Sequence, residues 1–216
     1  REVVGQFTLL EGAANDRISG LPGKGLPPVR VIEDGPVRTV VEAVFGYGDS
    51  FLVMTYTLPK LGTELEIHVR VTWNEKSTML KLAVPTPFGA GEYLGQVAYG
   101  RDVLAGAKKE VVAQKWTAAR SENGAQALTV INEGIYGSDF VDGQIRMTLL
   151  RSPAYSSHPI YDRPPVAKDR FRPRQEQGER QFRLWLNGGA AAARLGVVDR
   201  EALAHNEKPM ALSFCP

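Results

Sequence analysis

The sequence predicts an all-β protein built as a large antiparallel β-sandwich. Three observations lead to this fold class: apolar and polar side chains alternate with a period of two, turn-forming residues recur at short intervals, and convincing helical periodicity is scarce. Short connections favour hairpins over the long crossovers that parallel strands need. At 216 residues, the sandwich should be larger than an immunoglobulin domain of about 100 residues.

The clearest strand is ELEIHVRVTW, residues 64–73. Its apolar side chains, which share one face, are Leu65, Ile67, Val69 and Val71. This pattern is typical of a strand with one buried and one solvated face. Six further strands are predicted, in chain order, at Val37–Val44, Phe51–Leu58, Thr78–Val84, Gln126–Asn132, Gly143–Arg151 and Arg180–Leu186.

Helices are expected to be few and short. Ala190–Leu195 has a helix-forming composition, but glycines lie close on both sides of it. Asp199–His205 predicts a second short turn, capped by Asp199. Between the strand that ends at Arg151 and the one that begins at Arg180, we predict a long, proline-rich excursion at residues 154–178.

The composition gives no reason to expect a nucleic-acid or membrane partner. The formal net charge is only +2, and no apolar run approaches the roughly 20 residues of a membrane span. Cys215 is the one cysteine, so a disulfide within the chain is excluded. This fits a reducing compartment, and we expect the cytoplasm, although a lone cysteine in an exported bacterial protein would look the same. Because the chain starts at Arg1 rather than Met, we interpret it as a piece of a longer protein.

The histidines predict no metal site. His68 lies in a strand, His158 in the proline-rich excursion and His205 near the C-terminus, without the matched spacing of metal ligands. His68 is expected on the outer face of its strand, and His158 is the one that could touch a ligand. We therefore expect no metal and no cofactor in this chain.

The three tryptophans, Trp73, Trp116 and Trp185, lie in or beside predicted strands. An indole ring can stack on a sugar ring, but in a strand it is more often part of the core. Burial in the core is therefore the favoured interpretation for all three.

Several strings together resemble the C-terminal β-region of the family 38 glycoside hydrolases, the α-mannosidases. They are IEDGPVRTVVEAVFGYGDSFLVMTYTL at 32–58, HVRVTWNEKSTMLKLAVP at 68–85, VAQKWTAAR at 112–120, INEGIYGSDFVDGQIRMTLLRSP at 131–153 and GVVDREALAHNEKP at 196–209. They occur in the family's order and span nearly the whole chain.

This resemblance implies a sandwich of the galactose-mutarotase-like type, also called a supersandwich. It also implies that the catalytic zinc, its ligands and the nucleophile belong to an N-terminal barrel outside this chain. The intact enzyme would be a retaining exo-α-mannosidase that cleaves terminal α-mannosides. The expected partners are that catalytic domain and, through it, the α-mannoside substrate; association into a homo-oligomer stays open.

The resemblance also implies four residues at the rim of the active site. Arg151 corresponds to an arginine that approaches the substrate pocket, where a permanently charged guanidinium would orient the substrate rather than transfer protons. Asn132, Tyr136 and Asp139 are the next candidates. The alternative for Arg151 is an ion pair with a carboxylate at the seam between domains. No catalytic residue is expected in the chain.

We divide the chain into a sandwich at residues 1–186, which includes the excursion at 154–178, and a C-terminal segment at residues 187–216. The latter would pack on the sandwich or on the missing catalytic domain. Two other functions are left open. One is a free-standing carbohydrate-binding sandwich. The other is an aldose 1-epimerase, which would need two histidines or a His–Glu pair in one groove.

Overall fold

The computed structural model describes residues 2–4, 6–10, 27–105, 109–154 and 174–213, and these residues form two β-sheets and one α-helix. The two sheets face each other across an apolar core, which confirms the all-β sandwich. His158, Cys215 and most of the excursion at 154–178 lie outside the described residues. No helix in the described part is long and apolar enough to cross a membrane.

The larger sheet has ten strands, in the order β2-β4-β5-β6-β15-β12-β11-β8-β9, with β3 also paired to β4. Its strands are β2 (Thr8–Leu9), β3 (Val29–Asp34), β4 (Arg38–Tyr47), β5 (Ser50–Pro59), β6 (Leu65–Trp73), β8 (Glu92–Val97), β9 (Gly100–Val103), β11 (Trp116–Arg120), β12 (Gln126–Asn132) and β15 (Gly178–Ala190). Every pairing in this sheet is antiparallel.

The smaller sheet has five strands, in the order β1-β7-β14-β13-β10. Its strands are β1 (Glu2–Val3), β7 (Met79–Pro85), β10 (Val111–Val112), β13 (Gly137–Val141) and β14 (Gln144–Arg151). The short β1 pairs in parallel with the start of β7, and the remaining pairings are antiparallel.

The core between the sheets follows the alternation read from the sequence. Ile67, Val69 and Val71 of β6 are all buried, and they pack with apolar side chains of β7 and β14 such as Leu80 and Ile145. All seven predicted strands are present. The strands that the sequence pattern missed are short or contain glycine, alanine or charged residues, which obscures a period of two.

Helix α1 (Ala191–Asn206), the one helix among the described residues, packs on the outer face of the ten-stranded sheet. The prediction of two short helical pieces was wrong, because Gly196 does not interrupt the helix. A second apolar core lies beneath it, and its members are Leu94, Trp116, Ala118, Ile131, Trp185, Leu195, Val198 and Ala202. Strand β15 runs directly into α1, four residues beyond the predicted domain boundary at residue 186.

Candidate functional site

Three of the four predicted rim residues, Tyr136, Asp139 and Arg151, lie in or beside the five-stranded sheet. Leu80, Ile145 and Met147 of this sheet point into the core, so the alternate positions point away from it. These outward positions form what we call the polar face, namely Lys81, Asp139, Arg146, Thr148 and Arg151. The face therefore brings two of the four predicted residues, Asp139 and Arg151, onto one surface.

Asp139 lies between two cations on this face. The Lys81 Nζ donates to Asp139 Oδ2 at 2.5 Å, and the Arg146 Nε donates to Asp139 Oδ1. The Lys81 side chain is fully buried and that of Asp139 is 3% exposed. Burial by itself raises the pKa of the Asp139 carboxyl, but the hydrogen bonds and charges of Arg146 and Lys81 outweigh it, so the pKa lies below its usual value. Asp139 is thus an ionised structural anion, unsuited to act as a general acid at neutral pH.

Arg151 is presented on a fixed strand end. Its backbone N–H donates to Glu176 Oε2 at 2.7 Å. The next residue, Ser152, is fully buried; its hydroxyl accepts a hydrogen bond from Trp73 Nε1 at 3.2 Å and donates to the carbonyl oxygen of Glu75 at 2.6 Å. The Arg151 residue itself is exposed, and none of the described residues accepts a hydrogen bond from its guanidinium. The backbone is therefore anchored while the charge is available to a partner.

Asn132 lies in the ten-stranded sheet, away from the polar face. Its side chain is fully buried, Oδ1 accepts from the Ile135 N–H at 2.8 Å, and Nδ2 donates to the Gln114 carbonyl at 3.1 Å. Its own carbonyl accepts from Asn206 Nδ2 of α1 at 3.0 Å. These contacts shape the loop that follows β12 and leave the Asn132 amide turned inward.

Tyr136 ends that loop, directly before β13. Its carbonyl accepts from the Ala113 N–H at 3.0 Å, and the residue is 56% exposed. Because Gly137 pairs with Val112 at the edge of the five-stranded sheet, the loop places Tyr136 beside this edge. Its ring is thus available for contact, as a sugar or a neighbouring domain would require.

The histidines are placed as structural contacts. His68 lies on the outer face of β6, as predicted, with Nε2 3.2 Å from Gln181 Oε1. His205 stacks on Trp185, with ring centroids 4.0 Å apart, and its Nε2 lies 2.9 Å from Glu64 Oε1. Sequence reasoning missed this His–Glu pair, because 141 residues separate its members. The pair fastens the end of α1 to the sheet.

The tryptophans are core residues, as expected. Trp73 and Trp116 are completely buried, and Trp185 is 7% exposed. Trp116 Nε1 donates to Asp199 Oδ1 at 2.7 Å, which links β11 to α1. Within the described ranges, no three histidine, cysteine or acidic residues are grouped so that they could hold a metal ion, and the residues there do not fit a zinc site.

The sequence matches the profile of the glycosyl hydrolases family 38 C-terminal domain over residues 12–164. Two solved structures from Enterococcus faecalis are similar. One is described as a protein in glycosyl hydrolase family 38, with 15% sequence identity, a TM-score of 0.69, and coverage of 84% of this chain and 26% of that chain. The other is an alpha-mannosidase from strain V583, with 13% identity, a TM-score of 0.65, and coverage of 84% of this chain and 25% of that chain.

The chain thus spans about a quarter of the length of these two structures, whose low identity bears on the fold alone. No curated protein matches the sequence.

Proposed function

The chain belongs to the glycosyl hydrolase family 38 C-terminal domains, and from this premise we propose that it is the non-catalytic sandwich of a retaining exo-α-mannosidase. The observation that carries the proposal is the match to the family over residues 12–164, together with the alpha-mannosidase among the similar folds. Hydrolysis would take place in an N-terminal catalytic domain that also holds the zinc ion. The 216 residues would complete the active site from one side.

The polar face favours a non-catalytic role for this domain, in which it holds other groups in position. Asp139 forms ion pairs with both Lys81 and Arg146, so these three side chains are fixed to one another. Arg151 has its backbone anchored through Glu176 and its neighbour Ser152, while none of the described residues accepts a hydrogen bond from its guanidinium. A fixed guanidinium at a rim can hold a sugar hydroxyl or a catalytic carboxylate in place by charge-assisted hydrogen bonds.

Tyr136 would add an apolar ring surface to this rim from the neighbouring loop. Asn132 and Asp139 would contribute indirectly: their side chains are engaged in the loop and in the ion cluster, respectively. The chemistry at the reacting carbon would use carboxylates of the catalytic domain, as retaining glycoside hydrolases do.

The first test is activity of the chain itself. We expect no release of the aryl group from an aryl α-mannoside by residues 1–216, with or without added zinc. The parent enzyme should hydrolyse the same substrate. Zinc-dependent turnover by the isolated chain, purified free of other mannosidases, would contradict the proposal.

The second test is Arg151→Ala in the parent enzyme. Removing a charge-assisted contact to the substrate or to a catalytic carboxylate costs about 1.5–3 kcal/mol, so kcat/KM should fall roughly 10- to 150-fold. Thermal stability should be unchanged, because the guanidinium is exposed. Arg183→Ala, at an exposed arginine of β15, is the matched control and should leave kcat/KM unchanged.

A free-standing carbohydrate-binding module is the second candidate. The exposed Tyr136 and the exposed Arg151 lie at the same end of the five-stranded sheet and favour it, since sugars are bound by an aromatic face and a few polar groups. Mannoside binding by the isolated chain that Tyr136→Ala abolishes would favour this module. An epimerase is disfavoured, because the His205–Glu64 pair lies at the helix end and its imidazole is stacked on Trp185.

A further inference from the structure

The sandwich is open along one seam, beside strand β7. On one side, β7 pairs with β14 along its length. On the other side, it pairs with β1 only at Met79 and Leu80. No strand in the described part of the chain pairs with the rest of this side, residues 81–85. Backbone groups that point away from β14 there form a free sheet edge.

An apolar cavity lies between this edge and the inner face of the ten-stranded sheet. It has a volume of about 170 Å³. Its lining includes Leu82 and Ala83 from β7, Phe45 from β4, Leu52 and Met54 from β5, and Phe7 from the segment between β1 and β2. The free edge is thus one wall of a groove with an apolar floor.

The apolar floor continues along β4 and β5, and across to β3, onto apolar residues that are exposed. In antiparallel register, Val31 lies opposite Val41, and Val41 lies opposite Tyr56, so all three share the inner face of the sheet. Leu58 follows two residues later on the same face. Val31 is 62% exposed and Leu58 is 47% exposed, although the strands on which they lie are well formed.

The charged side chains near this floor give no reason to expect a charged occupant. They are paired with one another: Arg30 with Glu42, Arg38 with Glu33, and Lys60 with Asp34. Lys81, at the start of the free edge, is buried against Asp139. An occupant would therefore be apolar and uncharged, and the free edge would bind it through backbone hydrogen bonds.

We propose that the groove between the free edge of β7 and the floor at β3–β5 binds an extended apolar segment of the parent enzyme from outside these 216 residues. This inference rests on the proposed function. Similar structures have chains about four times as long as the part that this chain matches, so most of such an enzyme is available to supply the segment. Added as a strand, it extends the five-stranded sheet and covers an edge that proteins rarely leave exposed.

Amide hydrogen exchange tests the proposal. Among Leu82, Ala83 and Val84, the amides alternate in direction, and those that point away from β14 report on the free edge. They should exchange rapidly in the isolated chain and at least about 100-fold more slowly in the parent enzyme. Slow exchange in the isolated chain at all concentrations overturns the proposal, because this chain then covers its own edge. Slow exchange that is lost on dilution overturns it in favour of a second copy.

A matched pair of variants locates the effect. Val31→Asp places an unpaired charge on the proposed interface and should reduce the protection in the parent enzyme at least about tenfold, while leaving the isolated chain's exchange unchanged. Val103 is 54% exposed and lies on β9, at the opposite edge of the ten-stranded sheet. Val103→Asp should leave the exchange unchanged in both the parent enzyme and the isolated chain. Equal effects of the two variants would overturn the proposal.

Activity of the parent enzyme on an aryl α-mannoside separates this inference from the proposed function. An active parent whose β7 edge exchanges rapidly contradicts the docking segment alone. An inactive parent with a protected edge contradicts the mannosidase function alone. If the protein contains no residues beyond these 216, the docking segment does not exist and the inference fails.

Discussion

Asp139 holds the polar face together, because its carboxylate accepts hydrogen bonds from both Lys81 and Arg146. Replacing it by Asn would leave the fully buried Lys81 ammonium without its main counter-charge. Breaking a buried ion pair in this way costs about 3–5 kcal/mol. We expect Asp139→Asn to lower the free energy of unfolding in urea by about this amount. Asp142→Asn, at an exposed turn three residues away, is the control and should change it by less than about 0.5 kcal/mol.

The same residue gives stability a dependence on pH. The folded-state pKa of Asp139 lies below its usual value, so the unfolded state binds the proton more readily than the folded state. Its contribution is therefore complete above the usual carboxyl pKa of about 4 and is lost as the pH falls through the lowered pKa. The difference in unfolding free energy between the wild type and Asp139→Asn should be constant from pH 8 to pH 5 and shrink below about pH 4. A difference that grows on acidification would contradict this assignment.

At the scale of elements, helix α1 continues through Gly196 because tertiary contacts hold both of its ends on the sheet. Arg194 donates a hydrogen bond to Thr129 of β12, and His205 and Asn206 tie the last turn to the sheet. Such contacts explain why a helix forms across a glycine that, by propensity alone, predicts its end. The first turn carries no acidic residue, and no side chain caps it. Tertiary packing has overridden the local signal.

Gly196 is therefore a position where a substitution can stabilise the helix. It is exposed, and a Cβ placed there would meet no atom within 4 Å. Because alanine favours the helix over glycine by about 1 kcal/mol, Gly196→Ala should raise the free energy of unfolding by about 0.5–1 kcal/mol. Gly91→Ala is the contrast, since its Cβ would lie 2.3 Å from the Arg120 carbonyl oxygen and should destabilise the protein. Urea titrations of both variants compare the two effects.

At the scale of the whole molecule, the alternation of apolar and polar residues predicted the strands of the main core but not how the strands are arranged in the two sheets. Strands such as β6 keep a strict period of two because one face meets the core and the other meets solvent. Strand β13 was missed because the polar Ser138 occupies an inward position, and only Tyr93, 45 residues away, explains its burial by donating a hydrogen bond to its hydroxyl. The same holds for the candidate site. The strand that ends at Arg151 can be predicted from its local sequence, whereas Trp73 and Glu75, which anchor the neighbouring Ser152, are brought there only by the fold.

The two cores share one sheet, so they should unfold together. On β12, Val130 belongs to the core between the sheets and its neighbour Ile131 belongs to the core beneath α1. Loss of α1 would expose Ile131 and Trp116, both almost completely buried, and so weaken the sheet that the other core needs. We therefore expect a single cooperative transition for the described sandwich and helix.

Native-state hydrogen exchange in low denaturant measures this directly. The α1 amides of Leu195 and Val198 should converge with those of Ile145 and Met147 in β14 on the same opening free energy as the denaturant rises. The exposed strand β9 provides an internal comparison, because its amides should open by local fraying at lower free energy. If α1 opens at a free energy more than about 2 kcal/mol below that of β14, the helix is a separate unit docked on a sandwich that is stable without it.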